Sequence, residues 1–440
     1  MTVTVIELND SEIRVARNGE IVLRSPGYAV VKPDRIEVGE NALRIARLNP
    51  RETHNRYWTN LNQDALAVPS RLARHHADLA FTQLLDIHEK AGKPEEVIFA
   101  VPGSYSNEQL SLLLGIVEAC PFNAIGLVDS AVASAAAVAG SGGFTHIDIF
   151  LHHTVLTHME VSDTVARTSV QVIEDCGLTD IYDACANLIS DLFIEQSRFD
   201  PQHHGETEQQ LYDQIPRCLQ ALQEGGEVMM EIQYHDTRHQ IKLLRDVLLG
   251  GLNKFYNRIL EQLPGENALM VGDRLSRLPD FGRQFDQAGF IQANAVFQGC
   301  QQHQAEIAPS GPGVSFITRL PASRSPVIPG RPRPDKPAET TPAVNRDGSV
   351  THILHNHRAY PLTGELIYVS ADAGISRIRN ENSHCSVMLK DHLARVNPET
   401  KLTVFINGRR IKSASAAGPG DTLTFAGSDT VYRFINVLGV

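Results

Sequence analysis

The chain has no pair of cysteines at C-x-x-C spacing; its six, Cys120, Cys176, Cys185, Cys218, Cys300 and Cys385, are scattered over 440 residues. That spacing is neither a zinc site nor a disulfide framework, and a reducing, cytoplasmic setting is expected. The start of the chain, the alternating run Thr2-Val3-Thr4-Val5-Ile6, lacks a basic region, a long apolar stretch and a cleavage site, so no signal peptide is expected. No segment approaches the roughly 18 uninterrupted apolar residues of a membrane span. Cations are outnumbered too: 40 Lys and Arg against 51 Asp and Glu leave a net charge of -11. Attachment to nucleic acid or anionic lipid depends on clustered Lys and Arg near phosphate, so protein or small-molecule partners are expected instead.

What is present suits two or three globular domains, since 42% hydrophobic content over this length supplies more than one core. Nine prolines fall between Pro309 and Pro342, among Gly, Ser and Arg (Ser323-Arg324-Ser325-Pro326, Pro329-Gly330-Arg331-Pro332). Such a stretch sustains neither helix nor central strand and reads as a semi-extended tether, although residues 314–320 are compatible with a last strand of the preceding domain. The expected organisation is a large domain over 1–318, a linker over 319–348 and a small domain over 349–440.

The large domain opens on strands over 3–8 and 12–16, an Asn18-Gly19 turn and a returning strand over 21–23. A helix is predicted over 70–88, from Leu72, Leu79, Leu84 and Ile87. Val97-Ile98-Phe99-Ala100-Val101 reads as a buried strand, stopped by Pro102-Gly103. Ser106 and Gln109 have the form of a capping box for a helix over 110–120. Another strand over 124–128 leads into Ser130-Ala131-Val132-Ala133-Ser134-Ala135-Ala136-Ala137, a helix whose lack of bulk would let it lie close against another backbone. Alternating strands and helices give an α/β class.

Val97 to Gln109 and then Gly126-Leu127-Val128-Asp129-Ser130-Ala131-Val132-Ala133-Ser134-Ala135-Ala136 resemble the first connecting segment of the DnaK-like heat-shock chaperones. Residues 6–11 fall at that family's first phosphate loop and 147–161 at its second. Residues 228–244 look like its hairpin with a turn over 235–239, 245–263 like the helix that follows, 268–273 like its adenosine strand and turn, and 294–300 like its closing helix. The resemblance implies an actin-like ATPase fold, a duplicated ribonuclease-H-like arrangement, with ATP or ADP and Mg as its usual cofactors.

The phosphate contacts that fold requires are depleted. A phosphate-cradling hairpin needs glycines, a hydroxyl and a carboxylate that holds magnesium through water. Glu7 and Ser11 remain, but Asn9 and Asp10 replace Gly and Thr, and Asp10 would repel phosphate. In the second loop Ile149-Phe150-Leu151-His152-His153-Thr154 replaces an acid-x-Gly-Gly-Gly-Thr run, leaving Asp148 as a displaced acid. Leu178-Thr179 replaces a Gly-Gly turn, Pro216-Arg217-Cys218-Leu219-Gln220 lacks the family's Glu and Lys, and Gly272-Asp273-Arg274 is what survives of the adenosine turn. The resemblance carries over, as vestigial nucleotide contacts, Glu7, Asn9, Ser11, Asp129, Thr154 and Gly272. No catalytic residue and no metal site is assigned: His152 and His158, six residues apart, would lie about 20 Å from each other on a strand. His75-His76 and His203-His204 read as surface or core histidines, and Cys120 and Cys185 as small core residues.

After residue 349 the pattern changes to short strands with turns, at 353–354, 365–369, 385–389, 402–406, 422–425 and 431–437, and an all-β sandwich is expected. Thr403 to Ile411 and Gly418-Pro419-Gly420-Asp421, with His384, are similar to the end of a forkhead-associated domain. In that family phosphothreonine is held by an Arg and a Ser; Ser370 and Glu381 stand there instead. Asn407, Arg409 and Arg410 are the candidate partner-binding residues. The sequence therefore reads as a non-catalytic, non-chaperone scaffold or regulatory protein that binds other proteins and uses no cofactor. The alternatives are an active ATPase of the actin-like superfamily, using ATP or ADP with Mg, and a phosphopeptide-binding adaptor acting through the small domain.

Overall fold

The structure, a computed structural model, describes residues 3–66, 68, 70–138, 140–263, 268–285, 288–309, 313–322 and 350–436, the last span with gaps at 356–357, 371–373, 377–378, 380–382, 391–392, 399–402, 407–408, 412 and 426–429. The chain divides into two units, Met1–Pro332 and Arg333–Val440. Most of the proline-rich segment lies outside the described residues.

In the first unit, β1 (Thr4–Glu7), β2 (Ile13–Arg17) and β3 (Glu20–Ser25) form an antiparallel meander. Its second turn places Asn18 and Gly19 at φ 53° and 81°, the left-handed conformation that a two-residue hairpin demands and these residue types tolerate. A small sheet of β4 (Ala29–Val31), β5 (Ile36–Val38) and β6 (Thr53–His54) follows, with the single-turn α1 (Glu40–Leu43) inside it. Next come α2 (His76–Lys90), β7 (Glu96–Val101), α3 (Asn107–Glu118), β8 (Asn123–Asp129) and α4 (Ser130–Val138). β7 runs parallel to β1 and β8 parallel to β7, so the sheet order is β8-β7-β1-β2-β3. Val97 to Val101 are wholly buried, as a continuous apolar run covered on both faces should be.

The chain then repeats the plan. β9 (Gly142–Ile149), β10 (His153–Val161) and β11 (Thr164–Glu174) form a second antiparallel meander. A long excursion carries α5 (Leu178–Ser197), α6 (Gly205–Ala221), the hairpin β12 (Glu227–Tyr234) with β13 (Thr237–Leu244), and α7 (Arg245–Leu260). β14 (Ala268–Val271) returns parallel to β9, α8 (Asp273–Ser276) follows it, and β15 (Gly289–Phe290) lies parallel to β14, giving the order β15-β14-β9-β10-β11. After α9 (Ala295–Gln302) and α10 (Gln304–Ile307), β16 (Phe316–Ile317) joins the first sheet beside β8, and β17 (Arg319–Pro321) joins the second beside β11.

The two sheets thus share one strand plan, and α4 and α9 lie between them in a common apolar cluster with Val5, Ile98, Phe144 and Met270. The small residues of α4 permit that contact: a Cβ on Gly299 of α9 would fall 1.9 Å from the carbonyl oxygen of Ala133.

Several boundaries differ from those predicted. α2 begins at His76 rather than at residue 70, because the Asp78 carboxylate accepts from the backbone N–H groups of Arg74 (2.6 Å) and His75 (3.0 Å) and fixes the helix start there. α7 stops at Leu260, and the hairpin turn is the pair His235-Asp236, with His235 at φ 50°. Residues 314–320 supply two short strands to different sheets, and pairing of Arg319–Pro321 with β11 carries the first unit past residue 318. His152 belongs to the β9–β10 turn and not to the strand that holds His158.

In the second unit two antiparallel sheets face one core. The first joins β18 (His352–His355), β19 (Arg358–Pro361), β24 (Val404–Ile406), β25 (Arg409–Ile411), β27 (Thr422–Phe425) and β28 (Tyr432–Ile435) in the order β19-β18-β28-β27-β24-β25. The second joins β20 (Ile367–Ser370), β21 (Gly374–Ser376), β22 (Cys385–Lys390), β23 (Leu393–Pro398) and β26 (Ser415–Ala417) as β21-β20-β22-β23-β26. Ile353, Leu423, Tyr432 and Phe434 from one sheet and Val369, Cys385, Val387 and Val396 from the other fill the space between them, the arrangement of a sandwich.

Candidate functional site

In the first unit the loops after β1 and β9, both at the ends of leading strands, meet across the two halves. Asn9 forms an Asx turn, its Oδ1 accepting from the N–H (3.0 Å) and the hydroxyl (2.7 Å) of Ser11. Its Nδ2 donates to Asp148 Oδ2 and to the carbonyl of Ile149, both at 3.0 Å. Asp10 is buried, and its two oxygens accept from the N–H of Leu151 and the hydroxyl of Thr59, each at 2.8 Å. The carboxylate therefore takes a backbone amide of the second loop that an anion would otherwise use. His152 links Nε2 to the carbonyl of Asn55 (3.0 Å) and Nδ1 to Thr179 Oγ1 (3.1 Å). The turn also packs onto Gly177, where a Cβ would meet the carbonyl oxygen of Leu151 at 2.3 Å.

Below these loops two buried arginines fill the cleft. Arg274, in α8, donates through both Nη atoms to the two oxygens of Glu7 at 3.1 and 2.9 Å, to Asp148 Oδ2 at 3.3 Å and to the carbonyl of Glu12 at 2.9 Å. Arg14, in the middle of β2, grips Asp273 with a second fork, 2.8 Å on each side, and reaches Glu12 at 2.5 Å. Arg277 adds a contact to Asp273 and Arg24 one to Glu12. Four carboxylates (Glu7, Glu12, Asp148, Asp273) thus face four guanidinium groups. Forked arginine pairs of this kind are the strongest hydrogen-bonded ion pairs proteins make.

Their titration follows from this packing. Burial disfavours the charged form of both Arg14 and Arg274, yet the surrounding carboxylates outweigh it and raise their pKa values. Burial also opposes the Asp273 carboxylate, but the Arg14 hydrogen bonds, with the charges of Arg274, Arg14 and Arg277, pull it down to about 2. Asp148 goes the other way: desolvation dominates, Arg274 offsets it in part, the charges of Glu7 and Asp273 add to it, and its pKa rises to about 6. Neighbouring His146 is pushed down to about 4, chiefly by burial, and is neutral at physiological pH.

Little space remains. The cavity bounded by Glu7, His146, Asp148, Asp273, Arg274 and Gln292 measures about 10 Å³, against the ~300 Å³ or more of an ordinary ligand pocket. Arg274 Nε is buried there with no partner among the described residues, and the room suits one water. These residues do not fit a magnesium-bound triphosphate: the acids that would hold the metal's waters are already paired with guanidinium groups. Among the described residues no three His, Cys, Asp or Glu side chains converge as metal ligands.

A second clasp joins the halves further out. Arg47, after α1, donates its backbone N–H to Gln209 Oε1 (2.9 Å). Its guanidinium stacks 3.5 Å from the Tyr212 ring centroid and contacts Asp183 and Glu208, each at 3.2 Å.

Of the residues carried over by resemblance, Glu7, Asn9, Ser11 and Gly272 come together around Asp148. Glu7 pairs with Arg274, and Gly272 donates its N–H to the carbonyl of Ile147 at 2.8 Å while lying against Asp148. Asp129 and Thr154 have structural partners instead. Asp129 is buried, caps α4 through the N–H groups of Ala131 (2.9 Å) and Val132 (3.2 Å) and pairs with Arg167 at 2.8 Å. Thr154 donates to the carbonyl of Cys176 at 2.6 Å. In the second unit, Asn407 and Glu381 lie outside the described residues. The backbones of Arg409 and Arg410 belong to β25, and the Arg410 side chain is exposed. Ser370 accepts the Tyr432 hydroxyl at its carbonyl (2.6 Å), and the His384 ring sits 5.6 Å from Phe425.

Sequence reasoning missed Arg14, Glu12 and the roles of Asp273 and Arg274. A signal existed in Ile13-Arg14-Val15-Ala16, where a charge interrupts an otherwise apolar strand, since a buried arginine requires carboxylate partners. No protein-family model matches the chain, and no curated protein matches it at a significant level.

Proposed function

We propose that this chain is a non-catalytic, actin- and DnaK-like scaffold or regulatory protein that acts by binding other proteins in the cytoplasm. The repeated strand plan, a three-stranded meander extended by parallel strands in each half, supports the actin-like reading of the first unit. One observation carries the loss of catalysis: Arg274 and Arg14 form ion pairs with Glu7, Asp148 and Asp273, the carboxylates that a metal would otherwise need. The guanidinium groups supply the positive charge in place of a cofactor, and Asp10 occupies the loop amide of Leu151. With nucleotide excluded, the two-sheet second unit serves protein contact, in keeping with its likeness to forkhead-associated domains.

Calorimetry and thermal melts with ATP and ADP in the presence of magnesium test this reading. A ligand at 100 times its Kd would stabilise the fold by about 2.7 kcal/mol, a shift of about 4 °C at an unfolding entropy of about 2.1 cal/mol/K per residue over about 320 residues. The expected result is no binding heat and no shift. Saturable, magnesium-dependent binding that is lost in Glu7→Gln would refute it and favour the active ATPase.

A further inference from the structure

A second cavity, of about 100 Å³, lies on the Asp10 side of the loops and is distinct from the arginine-filled cleft. Leu8, Asp10, Trp58, Tyr105, Phe150, His153 and Glu174 are among the residues that line it, and none of its described lining residues is Lys or Arg. Four of these carry aromatic rings, and the rings of Phe150 and His153 stack at 4.9 Å with 9° between their planes. Two carry carboxylates. Asp10 keeps a spare lone pair on each oxygen after its bonds to Leu151 and Thr59.

The observation that points to a ligand is His153. The residue is 7% exposed, and its Nδ1 has no hydrogen-bond partner among the described residues. A buried imidazole nitrogen left unpaired costs free energy, and the residue that carries it lines a space several times the ~30 Å³ share of a water. Burial lowers the His153 pKa, so the ring is neutral and offers a lone pair. Aromatic rings, carboxylates and a neutral imidazole, with no Lys or Arg among the described lining residues and Arg56 outside the lining, select a positively charged hydrogen-bond donor and reject anions.

We propose that this cavity binds a small organic cation of the alkylammonium class, either a free amine or the tip of a lysine side chain from a partner. The aromatic rings surround the apolar carbons, His153 accepts one ammonium N–H, and Asp10 with Glu174 balances the charge.

Trp58 is the single tryptophan of the chain and borders the cavity, so its emission reports occupancy. The full chain is titrated with tetramethylammonium chloride, n-butylammonium chloride and Nα-acetyl-lysine methylamide, against sodium chloride at equal ionic strength. The expected result is a saturable change in Trp58 emission with n-butylammonium. A matching response to the lysine amide assigns the source to a protein side chain, and silence of the amide assigns it to a free amine. His153→Phe, which keeps a stacked ring and removes Nδ1, should raise the midpoint at least about tenfold; the exposed Glu174→Gln should raise it about two- to fivefold. A response indistinguishable from that to sodium chloride overturns the proposal, as does saturation with midpoints unchanged in Glu174→Gln and in folded His153→Phe. If His153→Phe does not fold, the wild-type titration and Glu174→Gln decide.

Discussion

Replacing Arg274 with Met tests whether its ion pairs hold the two halves of the first unit together. The substitution keeps much of the aliphatic volume but withdraws the cation from Glu7, which is 3% exposed, and from Asp148, which is 8% exposed. It also leaves the Glu12 carbonyl without its 2.9 Å donor. Breaking a buried pair on one side costs about 3–5 kcal/mol, because a charge is left in a medium that cannot solvate it. With two carboxylates losing their nearest guanidinium, while Glu7 keeps Arg14 at 3.9 Å and Asp148 keeps the Asn9 amide at 3.0 Å, about 4 kcal/mol is expected, a large share of a typical domain stability of about 5–15 kcal/mol. Urea unfolding followed through Trp58, which is buried in the first unit, reads the loss without interference from the second. At a slope of about 3 kcal/mol/M the midpoint should fall by a little over 1 M. Adding Glu7→Gln should recover at least half of this, since the double variant leaves one acid rather than two. Asp148 supplies a further signature: removal of Arg274 raises its pKa further above about 6, so the variant should regain stability as the pH falls from 8 to 5. A midpoint shift below about 0.3 M, or no recovery in the double variant, would refute the reasoning.

Asp273→Asn should be less stable than the parent at pH 7 by about 2 kcal/mol, from a carboxyl held at about 2 instead of its ordinary value. A depressed carboxyl stabilises the folded state above its unfolded pKa and loses that contribution as pH falls through the folded value, so the difference should vanish between pH 4 and 2 in parallel urea series. Gly299→Ala should cost about 3 kcal/mol, because its Cβ would fall 1.9 Å from the Ala133 carbonyl oxygen and 2.7 Å from that carbonyl carbon, forcing α9 off α4. Gly115→Ala, on the exposed side of α3 with nothing within 4 Å of the new Cβ, should instead stabilise by up to about 1 kcal/mol. A thermal melt that ranks the two glycine variants in the opposite order would contradict the packing described for α4 and α9.

Much of the local structure is written in short-range chemistry. The Asn18-Gly19 turn, the buried run Val97 to Val101 and the Ser106–Gln109 capping box, in which each side chain bonds the other's backbone N–H at 3.2 and 2.9 Å, all act within a few residues. Propensity and periodicity are enough to read them. The small side chains of α4 announced a close neighbour but not its identity. The start of α2 was misplaced because Ser70 and Asp78 make local bonds to backbone N–H groups that compete with helix and are invisible to an apolar repeat. The bulky and acidic residue types at Asn9, Asp10 and His152 were likewise legible, as was the repulsion between Asp10 and an anion.

By itself, the sequence determined where strands, turns and caps form, and that the loops after the leading strands carry bulky and acidic side chains. Tertiary structure decided what those loops do. Arg14 and Arg274 stand 260 residues apart in the chain and meet in one cluster of carboxylates, sharing Glu7, because the second meander folds against the first. Buried charges take their meaning from whichever groups lie within about 4 Å in a low-dielectric interior. No pattern along the chain encodes that distance, so the arginines that close the cleft, and the His153 Nδ1 without a partner among the described residues, emerged only once the two halves were packed together.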